Sequence, residues 1–218
     1  MPRVVDHDAR RAQIVAAVLD LVAREGVEAV TVRKAAAAAG VSTGALAHYF
    51  ADKEQLLAAA YTEVVTRVGR RMEALAASTR DPVQLLVQAL LTTLPLDDAA
   101  RTEARIWLAF LDRAQVRPEA AQVQREVYRQ WRDALAWVIA RAGQEGYLRA
   151  DLDPHRTASF LIAVADGLAL QATLDPEALD PDTLRHLVRA HVETLLPAQA
   201  GALRRPESGD RAGPRRPR

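Results

Sequence analysis

Three observations predict an all-α protein. Apolar residues recur at three and four positions along most of the chain, with no sustained period-two alternation of the kind a half-buried strand shows. The pairs Asp81-Pro82, Asp153-Pro154 and Asp180-Pro181, together with Pro118, open apolar segments, where a proline in the first turn needs no amide partner. Gly26, Gly40, Gly143 and Gly146 fall where such segments stop. No internal repeat is evident, so a solenoid is not expected.

Asp8 to Arg24 reads as one amphipathic helix, with Ile14, Val18, Leu21 and Val22 on a common stripe and Gly26 as its stop. The next stretch, Thr31 to Phe50 (TVRKAAAAAGVSTGALAHYF), describes two short helices joined by a glycine turn. Val32, Ala35, Ala36 and Ala39 line one face of the first, Gly40 lets the chain change direction, and Ser42 caps the second. Leu46 and Phe50 are expected to point inward with Val41, and Gly44 and His48 to project from the opposite side. With Thr43, Gly44, Ala45 and Ala47 the outward face is nearly free of bulk, so this helix would sit deep in a major groove and touch base edges. The spacing is that of a helix-turn-helix, and the same spacing also suits an alanine-rich hairpin inside any helical protein.

Asp52 is expected to cap a fourth helix whose apolar stripe begins with Leu56, Leu57, Ala60 and Tyr61. Further helices are expected near 53–78, 82–94, 99–114, 119–143, 154–174 and 182–196, nine in all. The domains expected are a helix-turn-helix unit over 8–52, a helical effector-binding and dimerisation domain over 53–196, and a disordered Arg/Pro/Gly-rich tail over 197–218. That tail carries six Arg against Glu207 and Asp210. It would add salt-sensitive DNA affinity or be a dispensable extension of an arginine-rich chain.

Net charge is close to zero, and residues 1–57 balance seven basic against seven acidic side chains, so placement rather than bulk charge must favour DNA. Arg33 and Lys34 open the second helix, Lys53 the fourth, and Arg10 and Arg11 begin the first, which sets cations and helix N-termini on both sides of the recognition helix. Each is also an ordinary surface charge. Thr31 would cap its helix and offer its hydroxyl to the DNA backbone, and His48 would donate to a base edge or phosphate.

Between Thr31 and Leu57 the residues fit T-V-R-x-x-A-x-x-A-G-V-S-x-G-x-L-x-x-Y-F-x-x-K-x-x-L-L, a pattern that resembles the TetR family of bacterial one-component transcriptional regulators. Ser42-Thr43-Gly44 followed by His48-Tyr49-Phe50 is most similar to its choline- and betaine-responsive (BetI-like) members. Many members carry an aromatic residue in place of Ala47 and a lysine in place of Thr43, so operator contacts do not transfer from them. The resemblance implies phosphate contacts for Tyr49 and Lys53. It also implies a twofold homodimer built on a four-helix bundle, a double-stranded, palindromic DNA operator and a small-molecule effector.

Seven of the ten aromatic residues lie between 107 and 160: Trp107, Phe110, Tyr128, Trp131, Trp137, Tyr147 and Phe160. They form a large core or, in part, line a cavity. If the effector is a cation, Trp107, Phe110, Tyr128 and Trp131 are the candidate ring faces. Asp166 interrupts the apolar run 160–172, where a lone carboxylate is costly to bury. It either hydrogen-bonds across a helix or subunit contact, or serves as counter-charge for a cationic effector. Gly167, Leu170, Leu174, Leu184, Val188 and His191, with Leu168, Leu187, Leu195 and Leu196, suggest that the last two helices present an apolar surface for a second copy.

There is no cysteine, so disulfides, thiolate metal sites and cysteine nucleophiles are excluded. The five His form no H-E-x-x-H spacing, and no phosphate-cradling glycine loop occurs, so no cofactor, metal site or enzyme activity is expected. No secretory segment and no apolar run long enough for a membrane span is expected, which places the protein in the cytoplasm. The reading is a DNA-binding transcriptional regulator, a repressor released by an effector. The alternatives are a regulator without an effector and an all-α enzyme or carrier.

Overall fold

Capping by side chains sets where most of the helices begin. The computed structural model describes residues 7–197. Among these it contains nine α-helices and one 3-10 turn, Val27–Ala29. The helices are α1 (His7–Glu25), α2 (Val32–Ala38), α3 (Thr43–Ala47), α4 (Lys53–Ser78), α5 (Pro82–Leu91), α6 (Asp98–Val116), α7 (Pro118–Gln144), α8 (Pro154–Leu174) and α9 (Pro181–Glu193). Thr31 accepts the Lys34 amide at 3.2 Å, Ser42 the Ala45 amide at 3.0 Å and Asp52 the Gln55 amide at 2.8 Å. Asp81, Asp97, Asp153 and Asp180 do the same for α5, α6, α8 and α9. Gly40 turns the chain between α2 and α3 with φ +66°, a conformation that costs any residue with a Cβ.

The ends depart from the sequence expectation for local reasons. The helix expected to reach residue 94 stops at Leu91, where the Thr92 and Thr93 hydroxyls donate back to the carbonyls of Gln88 and Leu90, each at 2.8 Å. Helix α9 ends at Glu193, short of 196, with the Thr194 hydroxyl on the His191 carbonyl at 2.7 Å. Helix α3 is one turn and a half long, so His48 is its C-cap and Phe50 lies beyond it. Phe50 is nonetheless buried beside Leu46, as the spacing required.

Two apolar cores result. One joins α1, α2, α3 and the first half of α4, and takes Ile106 and Phe110 from α6. The other joins α5, α7, α8 and α9, with Leu86, Ile139, Leu161 and Leu184 fully enclosed. Met72 on α4 and Trp107 on α6 touch both. Helix α4, 26 residues and therefore roughly 39 Å long, runs from the helix-turn-helix into the larger domain.

The sequence expectation that no segment is long and apolar enough for a bilayer needs correction, because α8 meets both conditions. Its apolarity has another use. One side of α8 (Ala158, Leu161, Ile162, Ala165, Ala169, Ala172) packs into the second core, while Phe160, Leu170 and Leu174 on the other side remain exposed.

Leu46 is fully buried at the centre of the helix-turn-helix. Leu46→Ala is expected to lower unfolding free energy by about 2–5 kcal/mol through the cavity it leaves, read as a reduced urea midpoint at unchanged slope.

Candidate DNA interface and effector cavity

The outward side of α3 is small and accessible. Thr43, Gly44, Ala45, Ala47 and His48 are exposed while Leu46 anchors the helix from beneath. Gly44 is not required by the fold. Its φ is ordinary for an L residue, and a Cβ built there would meet nothing nearer than the Ser42 Oγ at 4.0 Å. A glycine costs an exposed helix up to about 1 kcal/mol relative to alanine, so what it provides here is a bare backbone on the outer surface.

Flanking groups fall on both sides of that surface. Thr31 and Arg33 are exposed at the start of α2, and Ser42 at the start of α3. Lys53, at the start of α4, lies 3.7 Å from the fully exposed carboxylate of Glu28. Lys34 is engaged at 2.6 Å with Glu25, whose carboxyl it holds below its usual range. Arg11, read in sequence as a phosphate candidate or an ordinary surface charge, is exposed and also makes contacts within the domain. Its guanidinium lies 4.4 Å from the Phe50 ring centre and donates to the Tyr49 carbonyl at 3.2 Å, tying α1 to the end of the recognition helix. Tyr49 is half-buried, its ring tilted against His7 at 5.5 Å.

The larger domain holds a cavity bounded by α4, α6, α7 and α8. Trp107, Tyr128, Trp131 and Asp166, four of the five effector candidates, line it together. The interior has about 70 Å³ for the centres of water-sized molecules, several times what one water needs. Phe110, the fifth, is not in the lining. It stacks behind Tyr61 at 3.9 Å between ring centres and 12° between planes, so Tyr61 takes its place as the ring facing the cavity. Position 61 reads in sequence as one more apolar-stripe residue of α4, and the only hint of more is a hydroxyl needing a partner in a buried stripe. That partner is Gln124, a buried side chain that accepts from the Tyr61 hydroxyl at 2.6 Å.

Asp166 accepts from the Tyr128 hydroxyl at 2.5 Å and forms no ion pair with any described residue. Burial raises its pKa from 3.8 to about 6, against the opposing pull of the Tyr128 hydrogen bond. Burial likewise raises both tyrosines. The other carboxylate on the cavity wall, Glu103, is satisfied by Arg71 through two hydrogen bonds of 3.0 and 2.6 Å. What remains is a carboxylate held by a hydrogen bond across α7 and α8, without an ion pair among the described residues, beside four aromatic rings.

On the outer side of the second core, Phe160, Ala163, Gly167, Leu170 and Leu174 follow each other at spacings of three and four along α8, all exposed except the half-buried Gly167. His191 on α9 is half-buried, its ring 5.4 Å from Phe160. Leu184 and Val188, expected from sequence on a subunit contact, are instead enclosed by the protein's own core at 0% and 4% exposure. Periodicity identifies an apolar face of α9 but not what covers it, and Leu187 is the exposed leucine there.

An exposed recognition helix in a three-helix unit, joined to a helical domain with an internal cavity, defines a one-chain regulator that binds DNA. Residues 14–60 match the model for bacterial regulatory proteins of the tetR family, and residues 82–197 that for the C-terminal domain of BetI-type transcriptional repressors. The chain is 31% identical over 196 residues to the HTH-type transcriptional regulator PksA of Bacillus subtilis, covering 89% of this chain and 94% of the relative. It is 28% identical over 200 residues to BetI 1 of Chromohalobacter salexigens, covering 90% and 95%. Among solved structures, a transcriptional regulator from Rhodococcus sp. Rha1 superposes with a TM-score of 0.74 at 31% identity, covering 85% of this chain and 95% of that one. A regulator from Saccharomonospora viridis in complex with choline has the same fold, with a TM-score of 0.79 at 24% identity and coverage of 85% and 96%. The chain therefore belongs to the TetR family of bacterial transcriptional regulators and carries a C-terminal domain of the BetI repressor type. It is a DNA-binding regulator of transcription rather than an enzyme.

The raised pKa of Asp166 carries a stability signature. With a folded pKa of about 6 above the ordinary value of 3.8, the protonated carboxyl stabilises the fold fully below about pH 4, and this stabilisation is lost as pH rises to about 6. Asp166→Asn is therefore expected to match the parent protein near pH 4 and to exceed it by on the order of 1–2 kcal/mol at pH 7.5, for a carboxylate that keeps some solvent. Thermal unfolding across that pH range checks this.

Proposed function

We propose that the protein is a homodimeric repressor, resident in the cytoplasm, that holds a palindromic operator through α3 and is released by an organic cation bound beside Asp166. The observation that carries this reading is the placement of Tyr61. It belongs to the helix that begins at Lys53 by the DNA-binding unit, and its ring also walls the cavity around an unpaired carboxylate. Four ring faces and one anion in a small enclosure suit a compact organic cation, each ring contributing about 0.5–2 kcal/mol. The choline bound to the S. viridis regulator of the same fold is a ligand of this chemistry.

In the DNA-bound dimer, Gly44, Thr43, Ala45 and His48 would meet base edges, and Thr31, Arg33, Ser42, Tyr49 and Lys53 the flanking phosphates. The exposed stripe on α8, with Leu187 and His191 of α9, would pack against its symmetry mate, fixing the two recognition helices one helical repeat, about 34–36 Å, apart. Cation binding would act through Tyr61 and the Phe110 stack on α4. It would also act through Arg113 of α6, which grips Glu54 in the first turn of α4 at 2.6 Å and holds that carboxyl below its usual range. An effector that favours a different setting of α4 lowers operator affinity by its differential binding to the two states, typically about five- to hundredfold. The helical domain would be the effector and dimer unit and residues 8–52 the reader of DNA, with α4 shared between them.

Three outcomes are expected. In titrations of operator variants at fixed salt, His48→Ala changes sequence preference, whereas Tyr49→Phe and Lys53→Ala weaken every sequence by similar factors. Equal loss on all sequences for His48→Ala would remove the base contact. Gly44→Ala is expected to raise the melting temperature slightly while reducing operator affinity, a separation that a purely structural glycine would not give. Leu170→Glu is expected to yield monomers in sedimentation velocity and to abolish retention of the operator fragment. Dimers that persist would remove the α8 contact from the reading.

A further inference from the structure

Three polar side chains are buried among the described residues: Thr102, Glu103 and Gln124. The Thr102 hydroxyl donates to the Asp98 carbonyl one turn back along α6, and Glu103 holds Arg71. Gln124, at 5% exposure the most enclosed of the three, has phenols on two helices as its partners. It accepts from the Tyr61 hydroxyl of α4 at 2.6 Å, and its carboxamide is also hydrogen-bonded to Tyr128, one turn further along α7. Tyr128 in turn donates to Asp166 of α8.

Replacing both the Tyr61 hydroxyl and the Gln124 amide by apolar groups of the same shape would cost little, so packing alone does not explain the pair. Its position does. Hydrogen bonds run from Asp166 through Tyr128 and Gln124 to Tyr61, and all four residues line the cavity. Bonds in such a chain strengthen one another. The carboxylate at one end draws the Tyr128 proton, makes the phenol oxygen a better acceptor for the amide, and so makes the amide carbonyl a better acceptor for Tyr61. Burial first, and then the charge of Asp166, raise the Tyr61 phenol, so the field of that carboxylate reaches the ring on α4. A cation beside Asp166 offsets the charge and weakens the draw along the whole chain.

We propose that Gln124 is the positioning residue that reports an occupied cavity to α4: it holds Tyr61 against α7 while no cation faces Asp166, and loosens that hold when one is seated there. This rests on the cation reading of the cavity and adds the residue through which the cation acts. One hydrogen bond of this kind shifts an equilibrium about two- to tenfold, enough to supply the lower part of a typical effector coupling of about five- to hundredfold.

The test compares the operator affinity of the full chain with and without choline, at a concentration that calorimetric titration shows to be saturating for each variant. A change in choline affinity then does not enter the ratio. The parent protein is expected to lose about five- to hundredfold in operator affinity on adding choline. Gln124→Leu is expected to lose less than about threefold. Tyr61→Phe, which keeps the Phe110 stack and removes the hydroxyl from the other end of the contact, is expected to match it. The double variant is expected to fall no further than either single one, the signature of two residues acting through one contact. Where Gln124→Leu fails to fold, Tyr61→Phe decides alone. Coupling at the parent level in either single variant leaves Gln124 as a structural partner for a buried phenol and overturns the proposal. Losses that add in the double variant overturn it as well. A parent protein that binds no choline, or whose operator affinity choline leaves unchanged, overturns the cation reading and the proposal with it.

Discussion

Helix α4 is built into the packing of both halves of the molecule, and the face-to-face contact of Tyr61 with Phe110 is the joint on which everything else turns. The first core closes around Leu46, Phe50, Leu56 and Tyr61, so the recognition helix cannot shift relative to the start of α4 without disturbing buried contacts. Phe110 brings α6 into the same core, and Trp107, one turn before it, faces the cavity. Close-packed interiors transmit displacement rather than absorb it. On the proposed reading, a change at the cavity wall would reach the ion pairs of Arg113 and Arg117 with Glu54, at the start of α4.

Much of the architecture is legible in the sequence because it follows from local chemistry. Thr31, Ser42, Asp52 and the Asp-Pro pairs carry their own reasons for starting helices, and Gly40 adopts the positive φ that its place in the turn requires. The Gly44 and His48 surface follows from a spacing of four. Choices between equivalent faces are not legible. Leu184, Val188 and Leu187 all belong to an apolar helix, and only three-dimensional packing sends the first two into the subunit and leaves the third outside. Tyr61 and Phe110 exchange their expected roles for the same reason: a stacked pair has a front and a back, and composition does not say which ring faces the space. The contact of Arg11 with the Phe50 ring was not legible either, because a cation at the edge of a helix-turn-helix suits a phosphate, solvent or a neighbouring ring.

Local rules are broken at three places that the proposed function uses. Asp166 sits where desolvation opposes its charge, Gly44 where alanine would make a better helix, and Phe160, Leu170 and Leu174 on a surface that water does not favour. Consistent sequences concentrate such conflicts at functional positions. On the proposed reading each would meet a partner of matching chemistry: a cation for the carboxylate, a base pair for the bare helix, and another copy of the chain for the apolar stripe.

The distance between recognition units in the proposed dimer tests the account most directly. The sequence has no cysteine, so Ala23→Cys on the exposed side of α1 accepts a single spin label per protomer. Pulsed dipolar spectroscopy on that dimer, with and without saturating choline, is predicted to give two different distance distributions, the choline-bound one no longer compatible with half-sites a helical repeat apart. Identical distributions at a choline concentration shown by titration to occupy the cavity would contradict the coupling through α4.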